Sequence, residues 1–364
     1  MNAREYPLKP EERVLFALRA LYQSYGYSQF KMSKFEEYDL YVRNKDFLVS
    51  DGVITFTDTD GRLMALKPDV TLSIIKNARQ MPGCVQKLYY NENVYRVSGS
   101  TRCFKEIMQT GLECIGDVDL YNLCEVISLA ARSLKEIDAR SALELSHMGV
   151  VSALVDALGL DGEKRAEVLR CIGEKNADGV RKLCPDADIE GILTLIAAHG
   201  PAAGVIERLR PWCGEGAAKE ALNELKAVTD ALSANGMEVG VDFSIVNDMN
   251  YYNGVVFMGY IDGIPASVLS GGQYDKLMQR MGRRERAVGF AIYMDLLERL
   301  EDAAKPYDVD ALLIYDDGAD VAALAKAVRE LAEGGRSVVA QKAVPEKLRY
   351  RELLRFADRQ GVVE

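Results

Sequence analysis

Residues 246–275 read VNDMNYYNGVVFMGYIDGIPASVLSGGQYD, and this stretch decides the fold that the sequence predicts. Two runs rich in β-branched and aromatic residues, Val255–Ile261 and Ile264–Leu269, flank the pair Asp262-Gly263. An Asp-Gly pair between such runs is the strongest local signal for a hairpin, because both loop positions of a tight turn take a positive φ. We therefore predict an antiparallel hairpin with a two-residue loop.

Aromatic and glycine residues stand at the open ends of this predicted hairpin. Tyr251-Tyr252 precedes the first strand, and Gly271-Gly272-Gln273-Tyr274 follows the second. Phenol hydroxyls beside a glycine pair are typical of the rim of a small-ligand pocket. The alternative is that the tyrosines are ordinary sheet residues and that the glycines form a turn.

A second strand pair lies earlier in the chain, at Val85–Tyr95 and Phe104–Ile115, and a polar loop joins its two strands. We predict that the two strands are antiparallel neighbours. Because side chains alternate along a strand, Gln109, Gly111 and Glu113 face the same side. A glycine between two polar side chains predicts a ligand-sized notch. The alternative is a polar stripe that faces solvent.

Length and composition indicate a globular protein of about two domains at 364 residues. Its hydrophobic content of 48% is enough for a sizeable core. No apolar run reaches the roughly 18 residues that a membrane helix needs. The first residues, MNAREYPLKP, lack the apolar core of a signal peptide. We expect a cytoplasmic protein that does not bind a membrane.

The rare side chains limit the chemistry that the protein can perform. Seven cysteines without a Cys-x-x-Cys pair predict reduced thiols, and they argue against a disulfide framework or a zinc site. The two histidines, His147 and His199, lie far apart, which argues against a histidine-based metal site. The formal net charge of −10 disfavours nucleic acid as a partner. We expect no metal and no cofactor.

Residue composition and the pattern of predicted elements divide the chain into two predicted domains. Residues 1–304 form a β-rich domain with a helical insertion at about 149–236, where alanine, leucine, glutamate and lysine dominate. Residues 305–364 are predicted as a small α/β domain that is either minimal or incomplete. Its predicted elements alternate as strand, helix, strand and helix, the last of them a helix over Pro345–Gln360.

Five segments, in this order, resemble the catalytic core of histidyl-tRNA synthetase over roughly residues 10–300. Residues 56–71, FTDTDGRLMALKPDVT, resemble the family's TFTD, GR and LRPEGT motifs, and the Tyr95-Arg96 pair with QTGLECIG at 109–116 resembles class II motif 2. NYYNGVVF at 250–257, SGGQYD at 270–275 and GFAI at 289–292 resemble RGLDYYTGTVFE, AGGRYD and motif 3. The resemblance implies an α+β fold of the class II aminoacyl-tRNA synthetase type, in which helices flank an antiparallel sheet.

The resemblance also implies a histidine-binding pocket. In that family the corresponding side chains hold the α-ammonium group of histidine at Asp69, Thr71 and Gln109. Glu113 and Tyr252 correspond to the residues that take the two imidazole nitrogens, and Tyr274 is expected as a further wall. The set is chemically suited to the ligand, because an anion and neutral acceptors match an ammonium group while a carboxylate and a phenol match a ring with two nitrogens.

Departures from the family pattern concern the residues that handle ATP. Asn247 and Leu296 stand where the family has arginines for amino-acid activation and for ATP, and Ser98 stands where motif 2 has a glutamate. Lys34 lies near the place of the motif 1 proline at the dimer interface. Adenylation needs fixed cations against a triphosphate, so we expect no synthetase activity and no catalytic residues, although Arg96 remains.

A synthetase-like core with a histidine pocket and without the ATP apparatus resembles the regulatory subunits of ATP phosphoribosyltransferase. This resemblance implies a homodimer that assembles with the short-form catalytic subunit into a hetero-octamer and that has histidine as its effector. One alternative is a divergent histidyl-tRNA synthetase. Another is a class II-like enzyme with new chemistry at Asp69, Cys103 or Glu113.

Overall fold

A computed structural model describes residues 9–48, 52–79, 82–97, 102–246, 251–300, 307–357 and 361–363. Contacts within the backbone divide the chain into two compact units, Met1–Leu300 and Glu301–Glu364. Each unit is described separately below.

The described residues form helices and strands in an α+β arrangement. The helices are α1 (Pro10–Ser24), α2 (Tyr38–Arg43), α3 (Thr71–Asn77), α4 (Leu120–Ile137), α5 (Met148–Asp156), α6 (Gly162–Gly173), α7 (Ala177–Leu183), α8 (Glu190–Ala197), α9 (Ala202–Leu209), α10 (Gly216–Ala234), α11 (Asp275–Arg280) and α12 (Val321–Glu333). The strands are β1 (Ser28–Gln29), β2 (Phe35–Glu37), β3 (Thr55–Thr57), β4 (Leu63–Leu66), β5 (Val85–Val97), β6 (Phe104–Gly116), β7 (Ser141–His147), β8 (His199–Pro201), β9 (Gly240–Asp242), β10 (Val255–Ile261), β11 (Leu269–Gln273), β12 (Arg286–Tyr293), β13 (Val309–Ile314), β14 (Val338–Gln341), β15 (Tyr350–Ala357) and β16 (Gly361–Val363).

A mixed sheet organises the first unit, with the strand order β1-β5-β6-β12-β11-β10-β7-β9-β8. Its pairs are antiparallel apart from β1 with β5 and β7 with β9, which are parallel. The long pair β5 and β6 is antiparallel over its full length, as the sequence predicted. The class II synthetase-like fold that the sequence indicated is therefore confirmed.

The helix α4 covers one face of this sheet. It begins with a capping box, in which Asp119 Oδ1 accepts a hydrogen bond from the Asn122 backbone N–H at 3.0 Å. Its buried residues recur at helical spacing and pack against the central strands. A Cβ on Gly259 of β10 would lie 2.6 Å from a methyl group of Leu134, so the helix approaches the strand closely at that glycine. The opposite face of the sheet is left for the candidate site.

The predicted hairpin is present, but its second strand and its loop were predicted wrongly. β10 pairs with β11 from Val256↔Gly272 to Gly259↔Leu269, so residues 262–268 form the connection. Gly263 has the positive φ of +87° that a turn after Asp262 requires. Pro265, however, has no N–H to offer a strand ladder, which delays the second strand. The glycine pair therefore lies inside β11 and not in a turn.

The segment 149–236 is helical, as predicted, and it belongs to the same compact unit as the sheet. Its buried residues join the same hydrophobic cluster as those of α4 and the central strands. The helices of this segment include two short ones, α7 and α9. The segment also contributes β8, which pairs antiparallel with β9 at the edge of the sheet.

The second unit has a sheet of order β14-β13-β15-β16 with α12 against it. The predicted helix over Pro345–Gln360 is wrong, because residues 350–357 form β15, although residues 358–360 lie outside the described part. Burial alternates along β15, with Leu354 and Phe356 buried and Leu353 and Arg355 exposed. A period of two residues is the signature of a strand, and it outweighs the helix propensity of this leucine- and arginine-rich segment.

No helix in the described ranges is both long enough and apolar enough to span a bilayer.

Candidate functional site

The candidate site is a depression on the sheet face opposite α4, where the central strands carry small side chains. The pairings of β6, β12 and β11 place Gly111, Ala291 and Ser270 in one row and Gly289 and Gly272 in the next. The small side chains at Ser270, Gly289 and Ala291 leave a cavity of about 240 Å³. The cavity lies below the roughly 300–1,000 Å³ that is usual for drug-sized ligands, so it suits a small metabolite.

All six residues that the sequence predicted for the histidine site line this one cavity. They come from four parts of the fold: the start of α3, the strand β6, the segment before β10, and the junction of β11 with α11. They are Asp69, Thr71, Gln109, Glu113, Tyr252 and Tyr274. Their assignment as histidine ligands stays a prediction.

Glu113 is the buried acid of the cavity, with a side chain that is almost fully enclosed. Thr71 Oγ1 donates to its Oε1 at 2.8 Å, and Tyr274 Oη donates to its Oε2 at 2.5 Å. Burial raises the pKa of Glu113 to about 8, although these two hydrogen bonds act in the opposite direction. Glu113 is therefore a carboxyl group that carries a proton at neutral pH and can lose it to a bound base.

Asp69 is the second buried carboxyl group, and it lies at the start of α3. Its Oδ1 accepts a hydrogen bond from the Leu72 backbone N–H at 2.8 Å. Burial raises the pKa of Asp69, while this hydrogen bond and the Arg96 guanidinium act to lower it. Arg96 also lines the cavity, and its Nε donates to the Pro68 carbonyl at 3.0 Å. The site therefore pairs an acid and a fixed cation at one end.

The notch predicted at Gly111 is filled. A Cβ on Gly111 would lie 2.1 Å from the Phe290 carbonyl oxygen and 2.7 Å from Tyr90 Oη. Tyr90 reaches across from β5 and donates to the Phe290 carbonyl at 3.4 Å. The glycine makes room for a tyrosine, so the prediction of a ligand notch at this residue is wrong, as is the alternative of a solvent-facing stripe.

Tyrosine rings form an aromatic wall of the cavity. Tyr251 packs against Tyr252 with ring centroids 4.7 Å apart and against Tyr274 with centroids 5.9 Å apart. Tyr252 lies over Gly272, where a Cβ would be 2.8 Å from its ring. Aromatic pairs of this geometry hold one another in place, so the wall is preorganised.

Sequence reasoning missed several residues that line the cavity. They are Tyr90, Met258, Ser267, Ser270 and Tyr293. Alternation along β12 offered a signal for Tyr293, because it lies two and four residues beyond Ala291 and Gly289. The pairing of Tyr90 with Gly111 required the register of β5 against β6, which the sequence did not provide.

The residues read as departures from the synthetase pattern are only partly described. Asn247 and Ser98 lie outside the described residues. Leu296 lies in a 3₁₀ segment, Met294–Leu300, and packs half-buried against the main hydrophobic cluster. Lys34 is exposed beside the small sheet of β2, β3 and β4. At position 296 a half-buried leucine therefore packs against the core.

Gly289 provides the space that the Glu113 carboxylate occupies, which leads to a prediction. A Cβ at Gly289 would lie 1.8 Å from Glu113 Oε2 and 2.6 Å from the Leu112 carbonyl. We expect Gly289→Ala to displace the carboxylate from Thr71 and Tyr274 and to weaken ligand binding at least about tenfold, since a hydrogen bond to a charged group contributes roughly 1.5–3 kcal/mol. Calorimetric titration with histidine measures the effect.

The matched control for Gly289→Ala is Gly204→Ala. A Cβ on Gly204, inside α9, would meet open space, so this variant adds the same methyl group at no steric cost. We expect it to leave binding unchanged and to raise the melting temperature slightly, because alanine is favoured over glycine within a helix. Equal binding by both variants would contradict the assigned role of Gly289.

The donor set of the cavity favours a small zwitterionic or basic ligand. Two buried carboxyl groups, an amide and several phenols offer acceptors to a cationic or N–H-bearing ligand, and Arg96 offers a counter-charge for a carboxylate. Metal binding was examined as well. Within the described ranges no three His, Cys, Asp or Glu side chains cluster in a way that would hold a metal ion.

Comparisons with known proteins identify the family of the chain. A sequence model of the family described as Histidyl-tRNA synthetase matches residues 7–297. A protein from Moorella thermoacetica named ATP phosphoribosyltransferase regulatory subunit is 30% identical over 348 residues, which cover 90% of this chain and 86% of that protein.

Two solved structures share the fold. An ATP phosphoribosyltransferase regulatory subunit/histidyl-tRNA synthetase from Bacillus halodurans superposes with a TM-score of 0.77 at 23% identity, and the match covers 98% of each chain. A chain of the ATP phosphoribosyl transferase (HisG:HisZ) complex from Thermotoga maritima superposes with a TM-score of 0.62 at 20% identity, covering 78% of this chain and 97% of that chain. At these identities the structures establish the likeness of the fold.

Proposed function

Because the chain belongs to the histidyl-tRNA synthetase family, and within it to the ATP phosphoribosyltransferase regulatory subunits, we propose that it regulates a catalytic ATP phosphoribosyltransferase subunit in histidine biosynthesis. In this proposal the chain binds histidine as an effector and carries no synthetase activity. The observation that carries the proposal is the cavity in which Glu113 lies buried between two hydroxyl donors, with Asp69 nearby.

Histidine fits the cavity by its chemistry. In the proposed pose the imidazole lies against Glu113 and Tyr252, so that a ring N–H donates to the carboxylate. The α-ammonium group lies against Asp69, Thr71 and Gln109, which are all acceptors. Free imidazole, with a pKa of about 6.5, is a weaker base than the buried Glu113 carboxylate, so the proton held by Glu113 moves to the imidazole only because the enclosed ion pair is stabilised by attraction at short range.

Regulation requires that histidine bind one state of the assembly better than another. A ligand with equal affinity for two states shifts neither of them. The buried carboxyl group of Glu113 provides such a difference if the cavity closes more tightly in one state, because it is neutral without a ligand and charged with one. The proposed feedback therefore operates through the free energy of ionising Glu113 inside the cavity.

The absence of synthetase activity is a separate part of the proposal. It rests on the residue types at positions 247, 296 and 98, where asparagine, leucine and serine replace two arginines and a glutamate of the synthetase pattern. Without those cations a triphosphate lacks the fixed positive charge that stabilises the transition state of adenylation. We expect no histidine-dependent exchange of pyrophosphate into ATP, measured with labelled pyrophosphate, while a complete histidyl-tRNA synthetase run in parallel gives robust exchange.

Exchange above background would instead favour a divergent synthetase, which is the second candidate. The family match supports that candidate, because the sequence model is described by the synthetase itself. Leu296 argues against it, since this side chain packs into the core and cannot reach for a phosphate.

The partner in the proposal is a short-form ATP phosphoribosyltransferase catalytic subunit. The similar chain from Thermotoga maritima is part of an ATP phosphoribosyl transferase complex, which supports this choice. We expect the short catalytic subunit from the same genome to be activated when this chain is added and to be inhibited when histidine follows. A coupled assay with and without the chain measures both effects, and an unchanged rate in both arms would contradict the proposal.

The proposed assembly contains this chain as a homodimer within a hetero-octamer. The sheet of β2, β3 and β4 supports a dimer, because Phe35 and Phe56 pack edge to face with ring centroids 5.2 Å apart and are both exposed. Exposed aromatic pairs on a sheet are typical of protein interfaces. Light scattering on the same preparations checks the masses, with a dimer expected for the chain alone.

A further inference from the structure

Two short helices begin at the cavity and carry the hydroxyl donors of Glu113. Thr71 is the first residue of α3, and Tyr274 is the residue that precedes α11. Both donate to Glu113, one to each carboxylate oxygen. The position of that carboxylate therefore depends on how these two helices lie relative to each other.

The far ends of the same two helices are joined by one residue, Arg283. Its Nη1 donates to the carbonyl oxygens of Ile75 and Ala78, at 2.8 Å each, at the end of α3. Its backbone N–H donates to the Met278 carbonyl of α11 at 2.9 Å. Its Nη2 donates to Glu285 Oε1 at 2.9 Å, which orients the guanidinium. The side chain is only 10% exposed, so this link is shielded from water.

A guanidinium is well suited to this link. The last carbonyls of a helix lack partners within the helix, and a cation near them is favoured by the helix dipole. The planar fork of arginine bonds two carbonyls and a carboxylate at once, which a lysine ammonium does with poorer geometry. At a rise of about 1.5 Å per residue, α3 places Arg283 roughly 10 Å from the donor Thr71.

We propose that Arg283 is a positioning residue for the histidine site, which holds α3 and α11 in the arrangement that lets Thr71 and Tyr274 grip Glu113. The identity of the ligand in this inference rests on the proposed function. The effect of Arg283 on the Glu113 carboxyl does not depend on that identity.

The hydrophobic packing of the two helices makes this a positioning role and not only a structural one. Leu72 and Ile75 of α3 share a buried cluster with Leu277 and Met278 of α11. When the polar link is removed, this cluster keeps the two helices folded. Their positions relative to each other can then change. Loss of the Arg283 side chain should therefore alter the position of the Glu113 carboxyl more than it lowers the free energy of unfolding.

Three variants test the proposal: Arg283→Met, Arg283→Lys and, as the control, Arg284→Met at the exposed next position. The first readout is the dissociation constant for histidine by calorimetry. The second is the pH midpoint of the Glu113 carboxyl in ¹³C NMR of glutamate-labelled protein, with the resonance assigned through Glu113→Gln. Asp69, Tyr90, Tyr251 and Tyr274 interact with this carboxyl, Arg96 interacts with Asp69, and all of them are unchanged in the three variants.

Arg283→Met is expected to weaken histidine binding at least about tenfold, the effect of losing one hydrogen bond to a charged group. It is also expected to raise the Glu113 midpoint, because the two hydroxyl donors hold that midpoint down. Arg283→Lys should restore part of both properties, and Arg284→Met should change neither. If Arg283→Met fails to fold, Arg283→Lys decides by the same two readouts.

The outcomes separate this inference from the proposed function. If the parent protein binds no histidine, the proposed function fails, yet a Glu113 midpoint that moves in Arg283→Met and not in Arg284→Met still supports the inference. If folded Arg283→Met, or Arg283→Lys in its place, leaves both readouts unchanged, the inference is overturned. Equal changes in the Arg283 and Arg284 variants overturn it as well.

Discussion

Glu113→Gln is expected to lower the affinity for histidine by roughly ten- to a hundredfold, because a hydrogen bond to a charged group contributes about 1.5–3 kcal/mol. The amide keeps the shape of the side chain and still accepts a hydrogen bond from Thr71 Oγ1. It cannot take a negative charge, so the enclosed pair with an imidazolium is lost. Calorimetric titration with histidine at pH 7 measures the difference.

Glu106→Gln is the matched control for this prediction. Glu106 lies on the same strand, β6, but it is exposed, and it does not line the cavity. We expect this variant to bind histidine as the parent does. Gln109→Ala serves as a second probe of the cavity from the ammonium side. Parent-like affinity in both Glu113→Gln and Gln109→Ala would place histidine elsewhere, such as at a subunit interface.

The stability of the protein is expected to fall as pH rises from about 5 to about 9, with Glu113 as a large contributor. Folding raises the pKa of Glu113 from 4.5 to about 8, so between these values the folded protein holds a proton that the unfolded chain has lost. The stabilisation is complete below pH 4.5 and is lost as pH rises through about 8. At about 1.4 kcal/mol per pKa unit, its upper limit is roughly 5 kcal/mol.

Thermal unfolding of the parent and of Glu113→Gln across this pH range tests the prediction. An amide does not titrate, so the variant should lose much less stability between pH 5 and pH 9, and it should be the more stable protein at pH 9. A residual slope is expected from Asp69, whose pKa burial also raises. In Glu106→Gln the slope should stay close to that of the parent, because Glu106 is fully exposed. Parallel curves for parent and Glu113→Gln would show that Glu113 is ionised in the folded protein.

Local sequence patterns predicted correctly the elements that depend only on their own residues or on one neighbouring strand. The strands β5 and β6 and the helix α4 follow from alternation and from helical spacing, and the structure has them at the expected places. Signals failed where a neighbour overrode them. Pro265 displaced the second strand of the hairpin, and pairing with β13 made a strand of residues 350–357.

The six site residues could be chosen from the sequence because they lie in motifs that resemble those of the histidyl-tRNA synthetase family. Gln109 and Glu113 share a face of β6 by alternation. Tyr252 lies before β10, and Tyr274 lies directly after β11. The shape of the cavity could not be predicted in the same way. Tyr90 occupies the space at Gly111 only because β5 lies in one particular register against β6.

Periodicity, which is a property of neighbours along the chain, predicted β5, β6 and α4, whereas the fold class and the six side chains that line the cavity came from motifs that resemble those of a known family. Only the tertiary structure decided that Glu113 is buried between Thr71 and Tyr274, that Gly289 makes room for its carboxylate, and that Arg283 joins the two helices. Arg283 and the carbonyl of Ile75 are 208 positions apart. Burial and hydrogen bonds between such distant residues arise when the chain packs, and they set the pKa of Glu113 on which the proposed histidine site depends.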